Sequence, residues 1–174
     1  ETIELDPSAG AYDGTGSYCK TWTSNSEPVV TFSVAEANNM TVGAVNAAGT
    51  VVPEGNAFGI ARGQNVDSNW TFSVAGYKIL SYSFKYKLKT GSTAANIVIT
   101  VNGNANAVTS DEKTFEVSDV NASAASFTLS GTNETIILTD VTIEAEPLLD
   151  NGAVYRFVCS GTNSVSLGAS ALTD

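Results

Sequence analysis

The sequence predicts an all-β fold: a two-sheet antiparallel β-sandwich of jelly-roll type. Three observations point there. The stretch from Ile79 to Lys89 alternates with period two, placing Tyr82, Phe84, Tyr86 and Leu88 on one face and Ser81, Ser83, Lys85, Lys87 and Lys89 on the other, which is the pattern of a half-buried antiparallel strand. Further short runs rich in β-branched and aromatic residues follow one another with turn residues between them and no convincing amphipathic helix among them. The composition agrees, with 15% charged and 43% hydrophobic residues and a preponderance of Ser, Thr, Asn, Gly, Val and Ala.

In chain order, strands are predicted at 29–34, 69–74, 79–89, 96–101, 113–117, 126–130, 135–138 and 141–146. Thr90-Gly91-Ser92, Asn102-Gly103-Asn104 and Ser130-Gly131-Thr132-Asn133 close three of these runs as turns. Between Ala35 and Gln64 the rhythm lapses. That stretch is rich in Ala, Asn and Gly, and it reads as a long excursion of the kind that often carries function. Residues 1–146 are therefore expected to form the sandwich module. Residues 147–174 read as a connector, Pro147 to Gly152, followed by one strand at Val154–Val158, which either begins a following module or is added to the same sandwich.

With 174 residues, the length suits one domain with a sizeable core. Eight basic residues stand against 18 acidic ones, a net charge of −10, so neither nucleic acid nor an anionic membrane surface is an expected partner. No apolar run is long enough to span a bilayer as a helix. Glu1-Thr2-Ile3-Glu4 lacks the features of a signal peptide, so for an exported protein the expectation is a signal already removed. The chain has no histidine, which excludes a Ser-His-Asp triad, a Cys-His pair and histidine-containing zinc sites within it. Carboxylate-only chemistry of the glycosidase type stays open. Yet no acidic pair is marked out by its surroundings, so the chain is expected not to be an enzyme.

Candidate binding residues come from several stretches. Trp22 and Trp70 stand beside Asn, Asp, Ser and Thr, where an indole could cover the C–H face of a sugar while amides and hydroxyls take its hydroxyl groups; packing at the edge of the core is the alternative. Asn39 and Asn133 supply amides. Arg62, one of two arginines, stands in the glycine-rich excursion, where it could hold a carboxylate bidentately or pair with a neighbour such as Asp67. Asp6 and Asp13 flank a glycine-containing loop and could supply oxygens to a structural calcium ion. Lys85, Lys87 and Lys89 form a row that reads as solvation and as protection of a strand edge. Cys19 and Cys159 fit no metal motif. In an oxidising compartment they could join the two ends of the chain, a closure that chain entropy values at about 4 to 5 kcal/mol; the alternative is two buried thiols. Asn39, Asn69, Asn121 and Asn133 each begin an Asn-X-Ser/Thr sequon.

The order of segments resembles a known kind of domain. Tyr18-Cys19-Lys20-Thr21-Trp22-Thr23-Ser24, Val30-Thr31-Phe32, Asn38-Asn39-Met40, Trp70 to Phe84, Ser126 to Asn133 and Ile136 to Ile143, taken in succession, resemble accessory β-sandwich modules near the N-termini of secreted Bacteroidales sialidases and other glycosidases. The likeness covers about residues 12–146. It implies a jelly-roll sandwich in a secreted, periplasmic or cell-surface protein, with a glycan-binding or positioning role in a larger enzyme. The chain is accordingly expected to be a monomeric, non-catalytic module attached to a catalytic domain of the same polypeptide and binding extracellular host glycans, mucin-type and sialylated chains among them, with a structural spacer or adhesin domain as the alternative. No ligand set comes with the resemblance, so the binding residues above rest on their own chemistry.

Overall fold

The computed structural model describes residues 1–14, 16–36, 39–62 and 66–148. It is an all-β, two-sheet antiparallel sandwich, and the described residues contain no helix. Fourteen strands follow in order: β1 (Thr2–Glu4), β2 (Gly10–Tyr12), β3 (Tyr18–Cys19), β4 (Thr21–Ser24), β5 (Val30–Val34), β6 (Met40–Thr41), β7 (Phe58–Ile60), β8 (Ser68–Val74), β9 (Tyr77–Leu88), β10 (Ile97–Val101), β11 (Asn104–Ala107), β12 (Lys113–Val117), β13 (Ala124–Gly131) and β14 (Ile136–Pro147). One seven-stranded sheet runs β12-β9-β14-β7-β6-β3, with β1 also paired to β14; the other runs β11-β10-β13-β8-β5-β4-β2. From β8 onward the chain crosses from sheet to sheet, the hairpin β10–β11 excepted, so successive strands lie in opposite sheets.

Alternating burial explains why these residues form strands. Val30, Phe32 and Val34 of β5 are buried and Thr31 and Ser33 are not; β8 repeats this with Trp70, Phe72 and Val74 against Asn69, Thr71 and Ser73. Rings from both sheets meet in the middle. Phe32 packs on Phe58 with centroids 5.1 Å apart, Phe84 on Phe127 at 5.0 Å, and Phe72 on Tyr82 at 5.8 Å. Each such buried ring contributes about 2–3 kcal/mol. The Tyr82 hydroxyl reaches across the sandwich to donate to the Ser126 carbonyl at 3.2 Å, and burial pushes its pKa up to about 12.

Three sequence expectations change. The two strands predicted at 135–138 and 141–146 are one strand, β14, interrupted by a register shift between Thr139 and Thr142 where Asp140 adopts φ 50°. A bulge of this kind breaks period-two alternation without ending the pairing. The glycine-rich excursion is also more ordered than its composition suggests. It supplies β6 and β7 to the first sheet and folds back through bridges from Val45 to Val51 and to Ala57. Val45 and Ala57 bury Ile137, which points away from the main core. Lastly, the lysine row guards no edge, because β9 lies between β12 and β14. Lys85 pairs with Asp140 at 2.7 Å, Lys87 with Glu112 at 3.5 Å, Lys89 with Glu134 at 2.8 Å, and Lys78 adds a pair with Glu146 at 2.6 Å.

The sandwich runs through Pro147, and the Leu148 N–H bonds to the Gly76 carbonyl at 2.8 Å. The strand expected at Val154–Val158 lies outside the described residues. No helix among the described residues is long and apolar enough to cross a membrane.

Candidate functional site

Several segments of the first sheet end at one place. Asn39 directly precedes β6, Arg62 follows β7, Lys89 follows β9, and Asn133, Glu134 and Thr135 lead into β14. The Ala61 N–H bonds to the Asn39 carbonyl at 2.9 Å and the Lys89 N–H to the Thr135 carbonyl at 3.2 Å, so the strand ends are tied pairwise. Between them lies an open polar cavity of about 350 Å³, lined by Asn39, Arg62, Asn133, Lys89 and Glu134, with Tyr18 at its rim.

Three of the residues singled out from the sequence, Asn39, Arg62 and Asn133, thus meet at one site although they lie far apart in the chain. Asn39 is 7% exposed, and its Nδ2 is buried without a hydrogen-bond acceptor. An unmade bond of this kind costs about 1–3 kcal/mol. The Arg62 guanidinium donates to the Gly131 carbonyl, at the end of β13, which ties this cavity to the second sheet. Glu134 is the electrostatic anchor. Burial works to raise its carboxyl, but the Lys89 ammonium, the Thr135 N–H at 2.8 Å and the Ser92 hydroxyl at 2.9 Å outweigh that and hold it below the usual carboxylate range. Arg62, Lys89 and Glu134 together leave the cavity one positive charge in excess, in a chain of net charge −10.

The tryptophans are corrected by the structure. Trp22 is 1% and Trp70 0% exposed, so neither indole offers a face to a sugar. Trp22 stands edge-on to Phe58 at 5.1 Å. Strand β2 lies so close over it that a Cβ on Gly10 would come within 2.1 Å of the indole nitrogen. Trp70 packs beside Phe32 and donates its N–H to the Ser68 hydroxyl at 2.9 Å. Both belong to the inward series of their strands, and period two decides the matter: in β4, Thr21 and Thr23 face out, so Trp22 faces in. The aromatic residue at the cavity is Tyr18, which is 53% exposed. It shares the polar, turn-prone stretch that drew attention to Trp22, and because β3 has only two residues, alternation offers no clue to which way it points.

Asp6 and Asp13 are not brought together. They line different depressions, and their oxygens serve local bonds. Asp6 accepts from the Ser8 N–H at 2.9 Å and the Ser8 hydroxyl at 2.7 Å. Asp13 accepts from the Lys20 and Thr21 N–H groups at 3.0 and 2.9 Å. Against the opposing effect of burial, these bonds lower the Asp13 carboxyl below its ordinary value. Among the described residues no three acidic or cysteine groups gather as a metal site. Cys19 is a buried free thiol whose pKa is pushed up to about 11 by burial and by the neighbouring Asp13 charge; Cys159 lies outside the described residues. Asn69, Asn121 and Asn133 of the sequons are exposed, whereas Asn39 is buried.

No family model matches the chain, and no curated protein matches it.

Proposed function

We propose that the chain is a non-catalytic carbohydrate-binding module of a larger secreted glycosidase, engaging host mucin-type glycans, sialylated chains included, through the cavity at Asn39, Arg62 and Asn133. One observation carries this reading: a polar cavity built from separate chain segments holds a buried amide donor with no partner, beside an exposed aromatic ring. Sugars are suited to such a place, because their hydroxyl and acetamido oxygens accept from an amide and their C–H faces lie on aromatic rings. Contacts this few give weak affinity, which attachment to a catalytic domain offsets by raising the effective concentration. The order of sequence segments, with its likeness to glycosidase accessory modules, supports the same reading.

A structural spacer or adhesin domain without a sugar ligand is the second reading. Burial of both tryptophans favours it, but it gives no reason for an unpartnered amide in a polar cavity. A mucin O-glycan array probed with the isolated chain, and with the Tyr18→Ala and Arg62→Ala variants, separates the two. Glycan binding is expected for the unaltered chain and a loss of at least about tenfold for each variant, on the scale of one lost charged or aromatic contact. Silence across the whole array would favour the spacer.

A further inference from the structure

Charge is distributed unequally between the two sheets. None of the strands of the second sheet, β11, β10, β13, β8, β5, β4 or β2, contains Asp, Glu, Lys or Arg, although the chain as a whole carries −10. The first sheet bears Glu4, Lys78, Lys85, Lys87, Lys113, Glu116, Asp140, Glu144 and Glu146 within its strands. Exposed sheet faces ordinarily carry such charges for solubility. In their place the outward positions of the second sheet hold hydroxyls in register. Thr21, Ser33, Thr71 and Ser126 stand side by side across β4, β5, β8 and β13. Thr23, Thr31 and Ser73 form the next row, and Asn69, Thr128 and Thr100 another.

At a strand spacing of about 4.8 Å the row of four spans about 14 Å, longer than a single sugar ring. Two carboxylates and one ammonium border it: Asp13 accepts from the Lys20 and Thr21 N–H groups, Glu36 accepts from the Asn69 N–H at 2.7 Å and from its side-chain amide at 2.6 Å, and the exposed Lys20 side chain acts on Glu36. One hydrogen bond links the face to the cavity described above. Outward-facing Ser130 adjoins Gly131, whose carbonyl accepts from Arg62.

We propose that this uncharged hydroxyl face is an extended surface for the neutral portion of a glycan chain whose end unit occupies the Asn39–Arg62–Asn133 cavity. The proposal rests on the glycan-binding reading of that cavity and adds to it the length and charge of the ligand. Thr71 and Ser126 bond to each other at 3.0 Å, Thr128 donates to Asn69 Oδ1 at 3.1 Å and the Thr21 hydroxyl serves Asp13, so what the face offers a sugar is the remaining lone pairs of these groups together with hydroxyls such as those of Ser33 and Thr23, and a neutral chain exchanges its water-directed bonds there without stripping any ion of its hydration. A polyanion gains nothing from this face and meets the charge of the rest of the molecule.

Affinity electrophoresis tests it, using gels containing galactan, mannan or mixed-linkage β-glucan beside gels containing polygalacturonate or hyaluronan, with mono- and tetrasaccharides of the retarding polymer as competitors. The variants are Ser33→Glu and Thr23→Glu on the face and Tyr18→Ala at the cavity, each checked for an unchanged thermal midpoint; two face positions on different strands guard against one failing to fold. Expected are retardation by a neutral polymer, a tetrasaccharide at least about tenfold better than the monosaccharide, and loss of that advantage in the face variants. Equal competition by both sugars, with the face variants unaffected, overturns the face and leaves the cavity standing. Retardation that survives Tyr18→Ala but not Ser33→Glu keeps the face and overturns the cavity reading. Stronger retardation by the anionic polymers overturns the proposal. So does a dimer in sedimentation velocity that Ser33→Glu dissociates, since the face would then belong to a second copy.

Discussion

Lys89 Nζ lies 2.8 Å from Glu134 Oε1 at the wall of the polar cavity, joining the end of the longest lysine-bearing strand to the segment that enters β14. The pair is one of a series along β9, but it alone borders the cavity. Its partners make it sensitive to acid, and the direction follows from linkage.

The Glu134 carboxyl titrates lower in the folded chain than in the unfolded one. A depressed folded value means that its contribution is present above the unfolded value, about 4.3, and is lost as pH falls through the folded one. Glu134→Gln should therefore lower the thermal midpoint at pH 7, and the gap from the unaltered chain should close as the pH drops below about 4. Midpoints measured from pH 7 to pH 3 check this, and a gap constant with pH would contradict it.

The two tryptophans differ in a way that conservative substitution should expose. Trp70 Nε1 donates to Ser68, itself fully buried, whereas Trp22 Nε1 has no acceptor. Trp70→Phe strands a buried hydroxyl and should cost about 1–3 kcal/mol more than Trp22→Phe. Either change to Ala should cost about 3–5 kcal/mol through the cavity left behind. Urea unfolding measures both, and equal losses for the two Phe variants would count against these assignments.

Gly131 adopts φ 93°, and a Cβ there would stand 1.7 Å from the Asn96 carbonyl oxygen. Gly131→Ala must therefore shift the β13 end and with it the carbonyl that accepts from Arg62. Strain in a left-handed conformation alone costs about 1–2 kcal/mol, and the clash adds to it. A loss below about 0.5 kcal/mol in urea unfolding would show that this corner yields freely.

Burial also raises the Cys19 thiol, to about 11. A raised value gives a contribution that is full below the unfolded value, about 8.5, and declines as pH rises toward the folded one. The stability of the unaltered chain relative to Cys19→Ala should thus fall between pH 8.5 and 11. Denaturation at pH 7 and pH 10.5 tests it, and an equal difference at both would contradict it.

Much of the sandwich could be read from the chain because its longer strands alternate. The predicted 113–117 coincides with β12, and 69–74 and 96–101 each differ from β8 and β10 by one residue at the start. Strands of two or three residues escaped, since β3, β6 and β7 are too short to show a period. Phe58, Gly59 and Ile60 of β7 are buried without alternation. At the candidate site, Asn39, Arg62 and Asn133 were legible as isolated polar groups in turn-rich stretches, but their meeting depends on strand pairing across the first sheet. Chemistry alone ranks the larger Trp22 ring above Tyr18, while the pleat of β4 turns Trp22 inward. In the sequence Lys89 belongs to its row, and no local signal ties it to Glu134.

The central claim, that glycan binds in the cavity and not over a tryptophan, is tested most directly by two-dimensional NMR. The ¹⁵N-labelled chain would be titrated with the strongest binder from the mucin O-glycan array. Shifts of the Asn39 and Asn133 side-chain amide signals, with the Trp22 and Trp70 indole signals unmoved, are the predicted result. Shifts at the indoles with the two amides unmoved would contradict it.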